Sequence, residues 1–199
     1  MHKLYVTLLT IGLIVTAANA APKTRFLVGT TLQTSSASGF NITSTQVIAQ
    51  QFVLQDDAKF TSITFVVGGS YTFDATGAGG FGSDVPFVAQ LTSGLGQGSI
   101  VLAQQQFTFS ALASRYYATT FSFNGPKKLP AGTYYLVLST TSSPDIGVLA
   151  WGPQGEIISP FGHLGSAYCA NPTGYGNPNE AAFSPCTTPQ TMQFQFVGK

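Results

Sequence analysis

An all-β fold, an antiparallel two-sheet β-sandwich of jelly-roll type, is what this sequence predicts, and three observations predict it. Apolar and polar residues alternate with period two along most of the chain, helical periodicity is nearly absent, and turn residues punctuate the alternation at short intervals. Successive strand side chains point to opposite faces, so several short strands without helices between them bury their apolar faces most simply as two packed sheets, with a closed barrel as the alternative closure.

The chain opens with an address. Lys3, an uncharged apolar run over residues 4–18 and the small-x-small triplet Ala18-Asn19-Ala20 predict a secretory signal peptide over residues 1–20, cleaved before Ala21. The run falls short of the roughly 20 apolar residues that a stable membrane span requires. No cysteine follows the cleavage site, so lipid attachment there has no nucleophile. Residues 21–199 then suit one domain with one substantial core, in a protein expected to be secreted or periplasmic.

Nine strands are predicted beyond the leader: residues 25–33, 46–54, 60–68, 85–92, 99–109, 116–123, 133–140, 147–151 and 191–197. Ile63, Phe65 and Val67 share one face, as do Tyr117, Phe121 and Phe123, and again Met192, Phe194 and Phe196. Tyr134-Tyr135-Leu136-Val137-Leu138 is apolar throughout, which predicts a central strand buried on both faces. Pro130-Ala131-Gly132 launches that strand, and Asn124-Gly125-Pro126 closes the one before it.

Composition narrows the function. Hydrophobic residues at 44% and aromatics at 13% exclude a disordered chain. Charged residues make up only 8%, against about 25% in an ordinary soluble domain, so the surface must be built mostly from Gln, Ser, Thr, Asn and Gly. With Lys3 removed, seven basic side chains face seven acidic ones. Nucleic-acid binding needs a basic footprint, and none is present; the pair Lys127-Lys128 sits in a turn between prolines. The C-terminal residues alternate apolar and polar, so no membrane span is expected in the mature chain.

Two segments carry a resemblance. Gln50-Gln51-Phe52-Val53-Leu54 followed by Phe60-Thr61-Ser62-Ile63-Thr64-Phe65, and Leu129-Pro130-Ala131-Gly132-Thr133-Tyr134-Tyr135-Leu136-Val137-Leu138-Ser139, resemble the jelly-roll sandwich modules of exported bacterial proteins, including those with a PEP-CTERM sorting tail. The resemblance spans residues 46–151 and implies strand chemistry and export. It supplies no catalytic residues. The Pro-Glu-Pro tail, its membrane segment and its basic cluster are not in this sequence, so anchoring by that route is not expected.

Cys169 and Cys186 are the only cysteines, and an even count in an exported chain predicts one disulfide. The rival, zinc held by both thiols and His163, has three ligands and no recognisable structural-zinc spacing. Gly77-Ala78-Gly79-Gly80-Phe81-Gly82 satisfies G-x-G-x-x-G, but the segment after it reads as a strand where a dinucleotide site needs a helix N-terminus. His163 is the one histidine of the mature chain, no Gly-x-Ser-x-Gly elbow accompanies it, and most of the seven acids fall in turns. No catalytic residue is therefore assigned. Asn41-Ile42-Thr43 is a glycosylation sequon and, given the bacterial resemblance, is read as coincidence. No cofactor is expected; structural calcium is the hetero group with a supply of oxygen ligands, from Asp56, Asp57, Asp74 and Asp84, though in no EF-hand spacing.

The long stretch 152–190 is read as a disulfide-closed loop joining the last two strands, and it concentrates aromatic and amide side chains. Trp151, Tyr168 and Tyr175, with Asn171 and Glu180, are the candidate ligand-binding residues, since sugars stack C–H faces on rings and pair their hydroxyls with polar side chains. Two main readings follow, with a hydrolase whose acids the sequence does not single out as a third. The chain is an exported structural or adhesive module, its loop aromatics forming a satellite core, or it is a carbohydrate-binding module whose partner is an extracellular or cell-wall polysaccharide.

Overall fold

The computed structural model describes residues 23–32, 39–42, 45–69, 85–109, 119–124, 128–140, 146–151, 155–170, 181–187 and 191–199. Among these there is no α-helix. The strands are β1 (Arg25–Gly29), β2 (Gly39–Ile42), β3 (Val47–Leu54), β4 (Ala58–Gly69), β5 (Val85–Thr92), β6 (Val101–Phe109) and β7 (Thr119–Asn124). They continue with β8 (Lys128–Leu129), β9 (Gly132–Ser139), β10 (Ile146–Trp151), β11 (Gly162–Ala170), β12 (Ser184–Pro185), β13 (Thr191–Met192) and β14 (Phe194–Gly198).

Every pairing between them is antiparallel. The first sheet is built on the long strand β4, which pairs with β14 and β10 and also with β7 and β8; β1 adds to β14, and β2 and β13 add to β10. The second sheet has the order β12-β11-β3-β9-β5-β6. The protein is an all-β sandwich.

The alternation in the sequence explains what fills the space between the sheets. Ile63, Phe65 and Val67 from β4, and Phe194 and Phe196 from β14, turn one set of side chains inward and are fully buried. From the facing sheet come Ile48, Phe52 and Leu54 of β3, Leu136 and Leu138 of β9, and Phe87 and Leu91 of β5. Rings interlock across the gap. Phe52 lies 5.6 Å from both Phe194 and Phe196, and Phe65 meets Phe87 at 6.1 Å and Phe107 at 5.7 Å, both edge-on. Edge-on contacts set the positive rim of one ring against the negative face of the next.

The strand expected to be buried on both faces is so over residues 136–138, while its outward Tyr135 is half-buried. β9 lies between β3 and β5, and its outward Val137 is as buried as its inward Leu136. At its root the Tyr134 hydroxyl donates to the Pro130 carbonyl at 2.8 Å, which ties the turn to the strand.

Three expectations need correction. Residues 152–190 are not one loop: they contain β11, nine residues long and paired along β3, and the short β12. The last expected strand is broken at Gln193, so that β13 follows β10 while β14 follows β4 and β1. β2 and β8 were not anticipated by the alternation; each is short and pairs along part of a longer strand. Tyr116, Tyr117 and the glycine segment 77–82 lie outside the described residues.

Candidate functional site

The second sheet carries Tyr168 and both cysteines, so its outer face and its two edges define the candidate site. Register sets one row across five strands: Tyr168 of β11, Ala49 of β3, Val137 of β9, Gln90 of β5 and Gln104 of β6. The next row is Gln51, Tyr135 and Thr92.

Two segments cover this face. Residues 93–100 fold back over β5, held by Thr92 Oγ1 donating to the Gly94 carbonyl at 2.6 Å and by Ser93 N–H donating to the Ile100 carbonyl at 3.0 Å. Residues 181–187 approach from the other side. Leu95 and Phe183 from these covers, with Tyr135 and Tyr168, pack on buried Val47, Ala49 and Val137 as a second, smaller apolar cluster. Tyr135 and Tyr168 meet edge-on at 6.0 Å, and the Gln51 amide donates to the Tyr135 hydroxyl at 3.0 Å. A Cβ at Gly165 would land on the Gln51 side chain, so the glycine keeps this amide in place.

Between the covers lies a shallow surface depression with no enclosed space for a water molecule, lined by Gln90, Thr92, Leu95, Val137 and Phe183 among others. Gln90 is buried. Its Nε2 donates to Gln104 Oε1 at 2.7 Å, while its own Oε1 meets no hydrogen-bond partner. A buried acceptor left unpaired costs free energy, and solvent or a ligand can satisfy it.

The two edges of this sheet differ. On one side β12 is two residues long and is clamped by the Cys169–Cys186 disulfide, whose Cα atoms lie 5.0 Å apart. The Cys186 N–H donates to the Ala167 carbonyl at 2.9 Å, and both cysteines pack against the main core. On the other side β6 runs for nine residues, Val101-Leu102-Ala103-Gln104-Gln105-Gln106-Phe107-Thr108-Phe109, with no charge, proline or glycine. Its strand partner among the described residues is β5 alone, and Gln104, Gln105 and Gln106 are exposed.

The sequence-predicted residues separate on this frame. Tyr168 belongs to the satellite cluster. Trp151 ends β10 in the other sheet, opposite Thr191. Asn171, Tyr175 and Glu180 lie outside the described residues. With both thiols in the disulfide, no thiolate is left for zinc, and His163 stands exposed on β11 opposite Val53.

Of the three acids that are described, Asp56, Asp57 and Glu156, the last two serve the scaffold. Asp57 bonds Lys128 at 2.7 Å and accepts from the Ala131 N–H at 3.0 Å. The hydrogen bond from Lys128 is the main reason its carboxyl is held below the ordinary range, and the same bond raises Lys128. Burial raises the Tyr134 phenol, with the Asp57 charge adding to it. Glu156 accepts from the Leu164 N–H at 2.9 Å. Among the described residues no three His, Cys, Asp or Glu side chains gather as a metal would need, and Asp74 and Asp84 lie outside them.

Sequence reasoning missed Gln51, Gln90, Gln104, Tyr135 and Phe183. The signal for the three glutamines was their outward position in period-two strands; β9 is apolar throughout residues 134–138 and gave none for Tyr135. No protein-family model matches the chain, and no curated protein matches it. Among the described residues no helix is long and apolar enough to cross a membrane.

Proposed function

We propose that this protein is an exported structural or adhesive β-sandwich module that works by contact between surfaces. The observation that carries this reading is the contrast between the two edges of the second sheet. One edge is short and covalently clamped; the other is long, uncharged and polar on its exposed side chains. Protected edges carry charges, prolines or bulges against a docking strand, and β6 between Ala103 and Phe109 carries none. The disulfide supports an oxidising compartment, in agreement with the leader-like residues 1–20.

Fractionation of cells producing the protein tests the first half: the module is expected outside the cytoplasm with its thiols oxidised. Deleting the gene tests the second half, with weakened attachment or envelope integrity expected. A cytoplasmic, reduced protein whose loss changes neither property would overturn the reading.

One observation favours the polysaccharide reading as an alternative. The unpaired Gln90 Oε1 borders a shallow surface depression, an acceptor of the kind a saccharide hydroxyl would use. A glycan array read with the native protein and with Gln90→Leu checks it. Binding lost in the variant supports this alternative, and no binding by either protein removes it.

A further inference from the structure

We infer that β6 pairs edge to edge with β6 of a second copy of this chain, antiparallel and centred on Gln105, joining two six-stranded sheets into one. The inference deepens the contact-module reading above and rests on it. A sheet edge presents a row of main-chain donors and acceptors, and an added strand satisfies them while pockets or cross-strand pairs set the register.

A second copy fits because the segment is close to its own antiparallel complement. Centring on Gln105 sets Gln105 opposite Gln105, Gln104 opposite Gln106, and Ala103 opposite Phe107. Directly opposed residues share a face of the sheet. On the outer face amides therefore meet amides, each a donor and an acceptor in one group. On the inner face a small residue meets a large one on either side of the axis. No charge opposes a like charge from Ala103 to Phe107, and the bulge at Leu102 lies outside that span.

The interior prepares the outer amides. The Gln104 oxygen already accepts from Gln90 Nε2 at 2.7 Å, which fixes that side chain and keeps its NH₂ group as a donor for an opposing Gln106 oxygen. The arrangement is isologous, the same patch on both copies, so it closes as a dimer without growing into a fibre.

Charge exchange at the two-fold tests the pairing, because position 105 is the one place where a side chain opposes itself. Gln105 is exposed, so Gln105→Lys and Gln105→Glu should each leave the strand circular dichroism and the disulfide intact. Sedimentation of the native protein over a concentration series is expected to show a reversible monomer–dimer equilibrium. Each variant alone sets like charges opposite one another and should weaken self-association roughly fivefold. An equimolar mixture of the two variants sets Lys opposite Glu and should restore it.

A native protein that stays monomeric at every concentration overturns the inference, and so does a dimer indifferent to charge at position 105. Variants that weaken without recovering on mixing overturn the register. A monomeric but exported and adhesive protein would sink this pairing and leave the contact-module reading standing. A charge-sensitive dimer found in the cytoplasm would do the reverse.

Discussion

Replacing Gln50 by Leu should cost the fold about 3 kcal/mol, although glutamine and leucine are close in size. Gln50 is fully buried on the inner face of β3, between Ala167 of β11 and Leu136 of β9. Its Nε2 donates to the Gly165 carbonyl at 2.9 Å and to the Gln51 carbonyl at 2.9 Å. Its Oε1 accepts from the buried Met192 N–H at 3.0 Å, across the core in the other sheet. One side chain thus holds the kink in β11 and the break between β13 and β14. Leucine leaves the Met192 N–H and the Gly165 carbonyl without these partners, each at about 1–3 kcal/mol, and relief of the buried amide offsets part of that. For a domain of ordinary stability, about 5–15 kcal/mol, this is a large share. Urea denaturation with the disulfide intact measures it as a lowered midpoint at unchanged slope. Hydrogen exchange at the Met192 amide gives a local check, with protection there falling more than at Phe65. A loss below about 1 kcal/mol, or unchanged protection at Met192, would refute the account of Gln50 as the bridge between the sheets.

Three further outcomes follow from the same geometry. The Cys169→Ala/Cys186→Ala double variant should keep its strand spectrum and lose about 3 kcal/mol, the loop-closure value for a separation of 17 residues; denaturation of native and variant protein with and without reductant checks it. Gly29→Ala should be strongly destabilising, by more than about 2 kcal/mol, because φ there is +145° and a Cβ would strike the Phe194 carbonyl; thermal melts read this directly. The Asp57–Lys128 pair should leave a small signature in stability against pH. Asp57 is held low, so its contribution is present above the unfolded carboxylate value and lost as pH falls through the folded one. Lys128 is raised, so its contribution is present below the unfolded amine value and lost as pH rises through the folded one. Melting temperatures of native and Asp57→Asn protein should therefore differ slightly at neutral pH and converge in acid.

Where the sequence alternates strongly it predicts its own strand. β5 begins and ends where the pattern does, and the Ile63/Phe65/Val67 and Met192/Phe194/Phe196 faces are buried as sets. β11 failed the same test because Gly162-His163-Leu164-Gly165-Ser166-Ala167-Tyr168-Cys169-Ala170 holds two glycines and no β-branched residue. Its strand is imposed by tertiary context: β3 offers a partner along its length, and the irregularity between Leu164 and Ala167 lets Gln50 and Gln51 reach it from opposite faces. The same cause explains the scattered site. Trp151 and Tyr168 are close in sequence, but pairing of β10 with β13 and of β11 with β3 sends them to different sheets. Gln50 was legible in part. It stands between Ile48 and Phe52 in an inward-facing series, where a polar side chain must find buried partners.

Coverage of the second sheet decides which of its surfaces can serve contact. Its inner face is closed by the main core, and much of its outer face by Leu95, Tyr135, Tyr168 and Phe183. Rings half-buried on Val47, Ala49 and Val137 make poor free platforms, because turning them toward a ligand would expose the apolar row beneath. The β12 edge is stapled by a bond whose sulfurs also pack on the core. What the described residues leave open is the depression at Gln90 and the edge at β6, and the Gln90–Gln104 bond joins the two. A partner strand on β6 would bear on Gln104 and, through it, on the orientation of the Gln90 amide. A contact made at that edge is thus felt at the buried Gln90 oxygen, which lacks a partner among the described residues.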